Sequence, residues 1–139
     1  FSVEDLGAYS LNIEDDYPEI ILPLAMRIVE DPENTRGIVF GKSGNGEAII
    51  SNRLPGVRAI VYYGKNLEIV KLGREHNNAN ILSLGAGFVG AEEAIQAVNI
   101  FIKTEFSLHR VQKIIIQFYF LFYQIFLYRI LILNYSSFI

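Results

Sequence analysis

A glycine-rich turn that ends in a carboxylate is the strongest chemical signal in the chain. Residues 41–47 read Gly-Lys-Ser-Gly-Asn-Gly-Glu, directly after a short β-branched run and directly before a helical stretch. The glycines let the backbone turn tightly and approach a ligand, while successive N–H groups form a site for an anion or an oxyanion. Glu47 would face that site and could act there as a general base. The same residues also suit a ligand-free turn, in which Gly and Asn provide the geometry and Glu47 favours the helix dipole.

A histidine followed by amides marks the end of the third predicted helix. Residues 74–80 read Arg-Glu-His-Asn-Asn-Ala-Asn and precede a short apolar strand. We predict that His76 lies at the carboxyl edge of a parallel sheet, that is, the side at which the carboxyl ends of the strands lie. Ligands bind at this side in open α/β folds. The alternative is a helix C-cap, in which His76 favours the helix dipole and an Asn supplies left-handed geometry.

Two nucleotide-binding motifs fit the glycines poorly. A Walker A loop needs a further Gly five residues before Gly41, and Arg36 stands there. Residues 85–90 read Gly-Ala-Gly-Phe-Val-Gly and match G-x-G-x-x-G, but no second strand ending in a ribose-binding acid follows about 20 residues later. A turn that packs closely against the sheet explains these glycines without a cofactor.

Short β-branched runs alternate with amphipathic helical stretches, which predicts an α/β fold with a parallel sheet covered on both faces. The predicted strands are residues 1–6, 37–40, 59–62 and 81–84, each followed by turn-forming residues. The first helix is predicted from Asp16 as N-cap to residue 30, with Pro18 in its first turn and Pro23 causing a kink or a later start. The later helices are predicted at residues 47–52, 67–76 and 91–103.

The composition fits one domain and excludes several classes of function. With 139 residues the chain can bury one core but not two. Its net charge of −3 gives no basic surface for nucleic acid, so a small anionic substrate would need a few local positive groups. The absence of Cys excludes thiol catalysis and disulfides, and two His are too few for most zinc sites.

The two ends of the chain differ in character from its middle. The first residues lack the pattern of a signal peptide, and a strand-like run that starts at Phe1 suggests that earlier residues are missing. Residues 114–139 are rich in Phe, Tyr, Ile and Leu, and Arg129 interrupts them. Because a central Arg disfavours membrane insertion by roughly 2.5 kcal/mol or more, we favour translated non-coding sequence, whose AT-rich codons encode these residue types, over a membrane anchor.

These motifs, in this order, resemble the type B ribose-5-phosphate isomerases that use a glutamate base, which are related to the galactose-6-phosphate isomerases. The similarity covers roughly residues 3–113. It is carried by Val-Glu-Asp-Leu-Gly-Ala-Tyr-Ser at 3–10, Asp-Tyr-Pro at 16–18, Ser-Gly-Asn-Gly-Glu at 43–47, Asn-Arg-Leu-Pro-Gly-Val-Arg at 52–58 and Arg-Glu-His-Asn-Asn-Ala at 74–79. The resemblance implies a flavodoxin-like or Rossmann-like sheet of strand order 2-1-3-4-5 that lacks its first βα unit here. Residues 1–113 would form a partial isomerase domain, with the apolar, helical tail at 114–139 outside it.

The resemblance also implies an aldose–ketose isomerase of the pentose phosphate pathway, which converts ribose 5-phosphate to ribulose 5-phosphate through an enediolate. Glu47 would move the proton between C2 and C1, His76 would assist opening of the furanose ring, and Asn77 would bind sugar hydroxyls. No metal or organic cofactor is implied, and the active site would be shared across a cytoplasmic homodimer. The other implied substrate-binding residues are Tyr9, which lines the pocket, Arg110, which contacts the phosphate, and the backbone of Ser43, Gly44, Asn45 and Gly46, which holds the developing oxyanion.

Two departures from the family pattern bear on activity. The family's first strand ends in an Asp-His pair that takes part in substrate binding, and this sequence begins after it. Gly87 stands where relatives carry a phosphate-binding Arg, so we expect weakened phosphate affinity. The alternatives to an active isomerase are a non-catalytic relative and a form attached to a membrane through residues 114–139.

Overall fold

The computed structural model describes residues 2–8 and 16–108. Helices and strands alternate along this part of the chain, as the sequence predicts. The helices are α1 (Tyr17–Glu30), α2 (Asn45–Ser51), α3 (Glu68–Asn77) and α4 (Ala91–Lys103), and the strands are β1 (Gly37–Gly41), β2 (Ala59–Tyr62) and β3 (Ile81–Gly85). Each predicted helix is therefore present, with boundaries that differ from the prediction by at most two residues.

The three strands form a parallel sheet in the order β1-β3-β2. Gly37 and Ala59 both lie opposite Ile81, and Gly41 lies opposite Gly85 at the other end. The predicted strand order was wrong, because it would place the strand at 59–62 between the other two. Only β3 is buried along its whole length, so it can carry helices on both faces and a neighbour on each side.

Helices cover both faces of the sheet, which confirms the predicted three-layer α/β class. On one face, α1 and α2 pack over the sheet around Ile28, Val39 and Ile81. On the other face, α3 and α4 enclose a larger cluster that contains Tyr62 and Phe101. Burial of each such large side chain contributes roughly 1.5–3 kcal/mol to stability. The two clusters hold the helices against the sheet and thereby position the loops at the two ends of the strands.

The first helix continues through its internal proline. Asp16 is the N-cap residue, Pro18 lies in the first turn, and Pro23 lies inside the helix. Pro23 leaves one carbonyl of the preceding turn without its intrahelical donor, but packing of one helix face compensates for this loss. That face carries the buried residues Ile21, Ala25 and Ile28.

The strand predicted at residues 1–6 is absent from the described part of this segment. Residues 2–8 adopt no strand conformation, and the Val3 side chain is 92% exposed. The segment contacts α1 through an exposed ion pair of 3.0 Å between Glu4 and Arg27. A strand needs a partner for its backbone groups, and none of the described strands pairs with it.

No helix in residues 2–8 or 16–108 is long and apolar enough to cross a membrane. The apolar segment 114–139 and the predicted domain boundary at residue 113 lie outside the described residues. Both therefore stay predictions.

Candidate functional site

The glycine-rich turn connects the carboxyl end of β1 to α2 and is fixed to the central strand. Gly44 has a φ of +78°, and a Cβ at this position would stand 3.0 Å from the hydroxyl oxygen of Ser83. The Ser83 side chain is buried on β3 and donates a 2.7 Å hydrogen bond to the Gly44 carbonyl. The turn therefore requires glycine at position 44 for both conformation and space.

A second glycine-rich turn, after β3, is hydrogen-bonded to the first. The Ala86 N–H donates to the Gly41 carbonyl at 2.8 Å, and the Gly87 N–H donates to the Lys42 carbonyl at 2.9 Å. A Cβ at Gly85 would approach the Ser43 carbonyl oxygen to 2.7 Å. Gly85 and Gly87 thus serve close packing of the two turns, whereas a Cβ at Gly90 would meet no neighbour within 4 Å.

Glu47 lies in the first turn of α2, and its carboxylate folds back over β1. A side chain at Gly41 would occupy the space that the Glu47 carboxylate fills. The buried Ser51 side chain donates a 2.7 Å hydrogen bond to the Glu47 carbonyl, which holds this turn of the helix. The result is a half-buried carboxylate at the carboxyl edge of the sheet, where a general base could reach a bound ligand.

Backbone donors stand in the same turn as the carboxylate. Among the described residues, none supplies an acceptor to the N–H groups of Gly44, Gly46 and Glu47, whereas the Asn45 N–H lies 3.3 Å from the Ser43 hydroxyl. Free N–H groups beside a carboxylate can stabilise an oxyanion that forms when the carboxylate removes a proton. This pairing of donors and base is the main chemical capacity of the site.

Tyr17 contacts the glycine-rich turn, and the sequence analysis did not predict it as a site residue. A Cβ at Gly46 would lie 3.2 Å from the Tyr17 ring and 3.3 Å from its hydroxyl oxygen, and the Tyr17 side chain is 44% exposed. α1 leads directly into β1, so the amino end of α1 lies at the carboxyl edge of the sheet. The position of Tyr17 at the first residue of α1 was the available signal. Tyr9, which was predicted to line the pocket, lies outside the described residues.

His76 lies at the opposite edge of the sheet from Glu47, so its predicted position was wrong. α3 ends at Asn77 and β3 begins at Ile81, which places this connection at the amino edge. In agreement, the backbone carbonyl of Asn80 accepts from the Gly37 N–H at the start of β1. β3 rises about 13 Å over its five residues. The end of a helix precedes the next strand, and therefore meets the amino edge of a parallel sheet.

The amides after His76 terminate the helix and link the loops of the amino edge. Asn78 adopts left-handed geometry, with a φ of +48°, and its N–H bonds to the end of α3, as the C-cap interpretation predicts. The Asn78 carbonyl accepts from the Arg58 guanidinium at 2.6 Å, and the Asn78 amide donates to Glu33 at 3.0 Å. Glu33 also forms a 3.3 Å ion pair with Arg58. These contacts link the end of α3 to the loops before β1 and before β2.

A buried arginine completes this amino-edge cluster. Arg74 is only 3% exposed, donates to the carbonyls of Ala79 and Thr104 and to the Asn78 side chain, and lies over the Phe101 ring. Burial lowers the pKa of the Arg74 guanidinium to about 10, and nearby positive charges act in the same direction. The acceptors that surround Arg74 offset part of the cost of burying its charge.

The described structure therefore divides the predicted site residues into two groups. Glu47 shares the carboxyl edge with the turn formed by Ser43, Gly44, Asn45 and Gly46, whereas His76 and Asn77 lie at the amino edge. Arg110 lies outside the described residues. No group of three or more His, Asp or Glu side chains within residues 2–8 and 16–108 is arranged to hold a metal ion.

Comparison with known proteins identifies the family. The family described as Ribose/Galactose Isomerase matches residues 1–117. The chain belongs to this family. The similar proteins include ribose-5-phosphate isomerase B of Mycolicibacterium paratuberculosis, 41% identical over 103 residues, which are 74% of this chain and 63% of the relative. The protein of the same name from Mycobacterium leprae is 39% identical over 103 residues, with 74% and 62% covered. The chain thus spans slightly less than two thirds of the length of these relatives.

Solved structures support the family and the fold. Ribose-5-phosphate isomerase B from Mycoplasma genitalium, with bound ribulose-5-phosphate, superposes with a TM-score of 0.76 at 30% identity and covers 89% of this chain and 80% of its own. Ribose-5-phosphate isomerase B from Clostridium thermocellum gives a TM-score of 0.71 at 35% identity, with 89% and 81% covered. These matches agree with the parallel sheet covered by helices.

Proposed function

We propose that the protein is an aldose–ketose isomerase of sugar phosphates, which interconverts ribose 5-phosphate and ribulose 5-phosphate in the cytoplasm. The observation that carries this proposal is the Glu47 carboxylate beside N–H groups of its own turn that bind no acceptor among the described residues. The names of the family's relatives and the ribulose-5-phosphate bound to the Mycoplasma genitalium protein support the choice of substrate. Residues 1–113 form the isomerase domain in this proposal.

Glu47 acts as the base in the proposed reaction. It removes the proton from C2 of the open-chain aldose, and the C1 carbonyl becomes an enediolate oxygen. Glu47 then returns the proton to C1, while the proton of the C2 hydroxyl passes to the oxygen on C1, so that the ketose forms. The backbone of Ser43, Gly44, Asn45 and Gly46 holds the developing oxyanion, and each donor of this kind contributes roughly 3 kcal/mol.

His76 and Asn77 belong to the site through a second copy of the chain. Glu47 and His76 lie at opposite edges of one sheet, separated by about 13 Å of strand. A two-fold symmetric pair can set the carboxyl edge of one copy against the amino edge of the other, and it then forms two such sites. In this homodimer, His76 of the second copy assists ring opening and Asn77 binds sugar hydroxyls.

Three further residues complete the proposed site. Tyr17 lines the sugar pocket beside Gly46, as its contact with the turn indicates. Tyr9 and Arg110 remain proposals from the family resemblance, with Tyr9 lining the pocket and Arg110 contacting the phosphate. No cofactor takes part in the proton transfer.

The test of the proposal is Glu47→Gln, which removes the base and keeps the shape of the side chain. Turnover of ribose 5-phosphate should fall about 10²- to 10⁴-fold, while substrate affinity stays close to that of the unaltered protein. Glu92→Gln is the matched control, because Glu92 is exposed in the first turn of α4 and should leave turnover unchanged. Full turnover by the Glu47→Gln protein would exclude Glu47 as the base.

The alternative is a non-catalytic relative, and the observation that favours it is Gly87. A Cβ at this position would lie 2.9 Å from the Lys42 carbonyl oxygen, so an arginine there requires the two turns to move apart. Turnover by the unaltered chain excludes this alternative.

A membrane-attached form through residues 114–139 predicts sedimentation with membranes that resists washing with salt.

A further inference from the structure

An anionic substrate at the carboxyl edge needs a positive partner, because Glu47 adds a negative charge there. Among the described residues, two cationic side chains belong to the loops of this edge, namely Lys42 after β1 and Lys65 after β2. The surroundings of these two lysines differ. The difference decides which of them can hold an anion.

Lys65 lies in a loop with carboxylates nearby, although none of the described carboxylates forms an ion pair with its ammonium group. The backbone N–H of Lys65 donates to the Glu93 carboxylate at 2.9 Å, and the same carboxylate accepts from the Tyr62 hydroxyl at 2.6 Å. Lys65 also lines a groove that contains Glu68 and Glu92. These negative charges repel a phosphate group, so the loop after β2 is a poor anion site.

Lys42 is held between the two glycine-rich turns. Its carbonyl accepts the 2.9 Å hydrogen bond from Gly87, which fixes its backbone. Its side chain lies against the same glycine, since a Cβ at Gly87 would stand 3.3 Å from Lys42 Cγ. Within the described residues, no carboxylate forms an ion pair with Lys42. The lack of a side chain at position 87 thus leaves room for the Lys42 stem, and no described carboxylate holds its ammonium group.

The positions of Lys42 and Glu47 suit the two ends of one sugar phosphate. The Glu47 carboxylate lies over Gly41, whereas the Lys42 stem lies over Gly87 in the neighbouring turn. The phosphate of an aldose 5-phosphate is at the far end of the molecule from the carbons that exchange a proton. A cation for the phosphate can therefore stand on the same edge as the base, against a different part of the loop.

We propose that Lys42 binds the phosphate group of the substrate, in the space that Gly87 leaves open between the two turns. This inference rests on the proposed function and identifies, among the described residues, a cation that binds the anionic substrate in addition to the proposed Arg110. An ammonium group on a flexible stem can follow the phosphate as the sugar ring opens. Lys42 is a binding residue in this assignment and takes no part in proton transfer.

The test uses the full chain and measures affinity by calorimetry for three probes, namely inorganic phosphate, ribose 5-phosphate and unphosphorylated ribose. Lys42→Met should weaken binding of both phosphate-containing probes about 10- to 100-fold and leave the affinity for ribose unchanged. Lys42→Arg keeps the charge and should stay within about threefold of the unaltered protein. Lys65→Met removes the same charge from the same edge and should have no effect.

Three results would overturn the assignment. They are an unaltered chain that binds no phosphate, a Lys42→Met protein with undiminished phosphate affinity, and a Lys65→Met protein that loses as much affinity as Lys42→Met. The isomerase proposal is tested separately by turnover. If phosphate binding depends on Lys42 but the unaltered chain shows no turnover, the isomerase proposal is refuted and the Lys42 site is kept. If the Lys42→Met protein turns over ribose 5-phosphate with an unchanged KM, the Lys42 site is refuted and the isomerase proposal is kept.

Discussion

A mixed dimer offers the sharpest test of the shared site. Glu47 and His76 lie at opposite edges of one sheet, about 13 Å of strand apart, so one copy cannot easily supply both to one sugar. In a symmetric pair, each site takes Glu47 from one copy and His76 from the other. A dimer of Glu47→Gln with His76→Ala therefore contains one site with both changes and one site with neither.

The expected recovery follows from this geometry. Two inactive proteins that exchange at random form mixed dimers in about half of all pairs, and each mixed dimer has one intact site of two. Turnover of ribose 5-phosphate should return to about a quarter of the level of the unaltered protein. Mixed dimers purified through two different affinity tags should reach about half of the turnover of the unaltered protein.

The control is Glu47→Gln paired with the double variant Glu47→Gln/His76→Ala, which can form no intact site. Formation of ribulose 5-phosphate is followed by its absorbance under identical conditions. No recovery in purified mixed dimers would show that each chain holds its own Glu47 and His76 in one site. A fully active monomer in sedimentation would refute the shared site in a second way.

Two further predictions concern stability. Gly44→Ala should lower the free energy of unfolding in urea by at least about 1–2 kcal/mol, because Gly44 has a positive φ and lies against Ser83. Gly90→Ala is the control and should change this free energy by less than about 0.5 kcal/mol, because Gly90 has a φ of −72° and no neighbour within 4 Å. Burial and the hydrogen bond to Glu93 raise the pKa of the Tyr62 phenol to about 12. The unfolded phenol loses its proton near pH 10, so folding stability should be lost as the pH rises from about 10 to 12, and Tyr62→Phe should remove this part of the pH dependence.

The sequence predicts the helices and the local turns well. The helix at 91–103 has the predicted boundaries, and Asp16 occupies the N-cap position of α1 as predicted, although its side chain makes no capping hydrogen bond. Local signals suffice here, because apolar spacing and cap residues act within a few positions of each other. Pro23 shows the limit of such signals, since tertiary packing keeps it inside a helix that propensity alone would interrupt.

The order of the strands depends on contacts that no local pattern encodes. β2 and β3 are both short and apolar, and only the burial of β3 along its whole length distinguishes the central strand. The strand predicted at 1–6 failed for a related reason. Its residue types suit a strand, but the described residues provide no neighbour to complete its hydrogen bonds.

The site was predicted only where its residues are neighbours in sequence. The turn that ends in Glu47 is compact, so its motif locates the carboxylate and its donors together. Tyr17 reaches the turn from another element, and this contact follows from the direction of α1. The position of His76 was derivable from topology alone, since a helix that precedes a strand ends at the amino edge.

The separation of Glu47 from His76 has a consequence for how catalysis would respond to dilution. If the site is shared as proposed, a single copy cannot bring its own Glu47 and His76 to the same sugar. Specific activity should therefore decline once the protein concentration falls below the dissociation constant of the dimer. A substrate that contacts both copies would oppose this decline, because its binding energy also favours association. Sugar phosphate would then regulate how much competent enzyme is present as well as how fast that enzyme turns over.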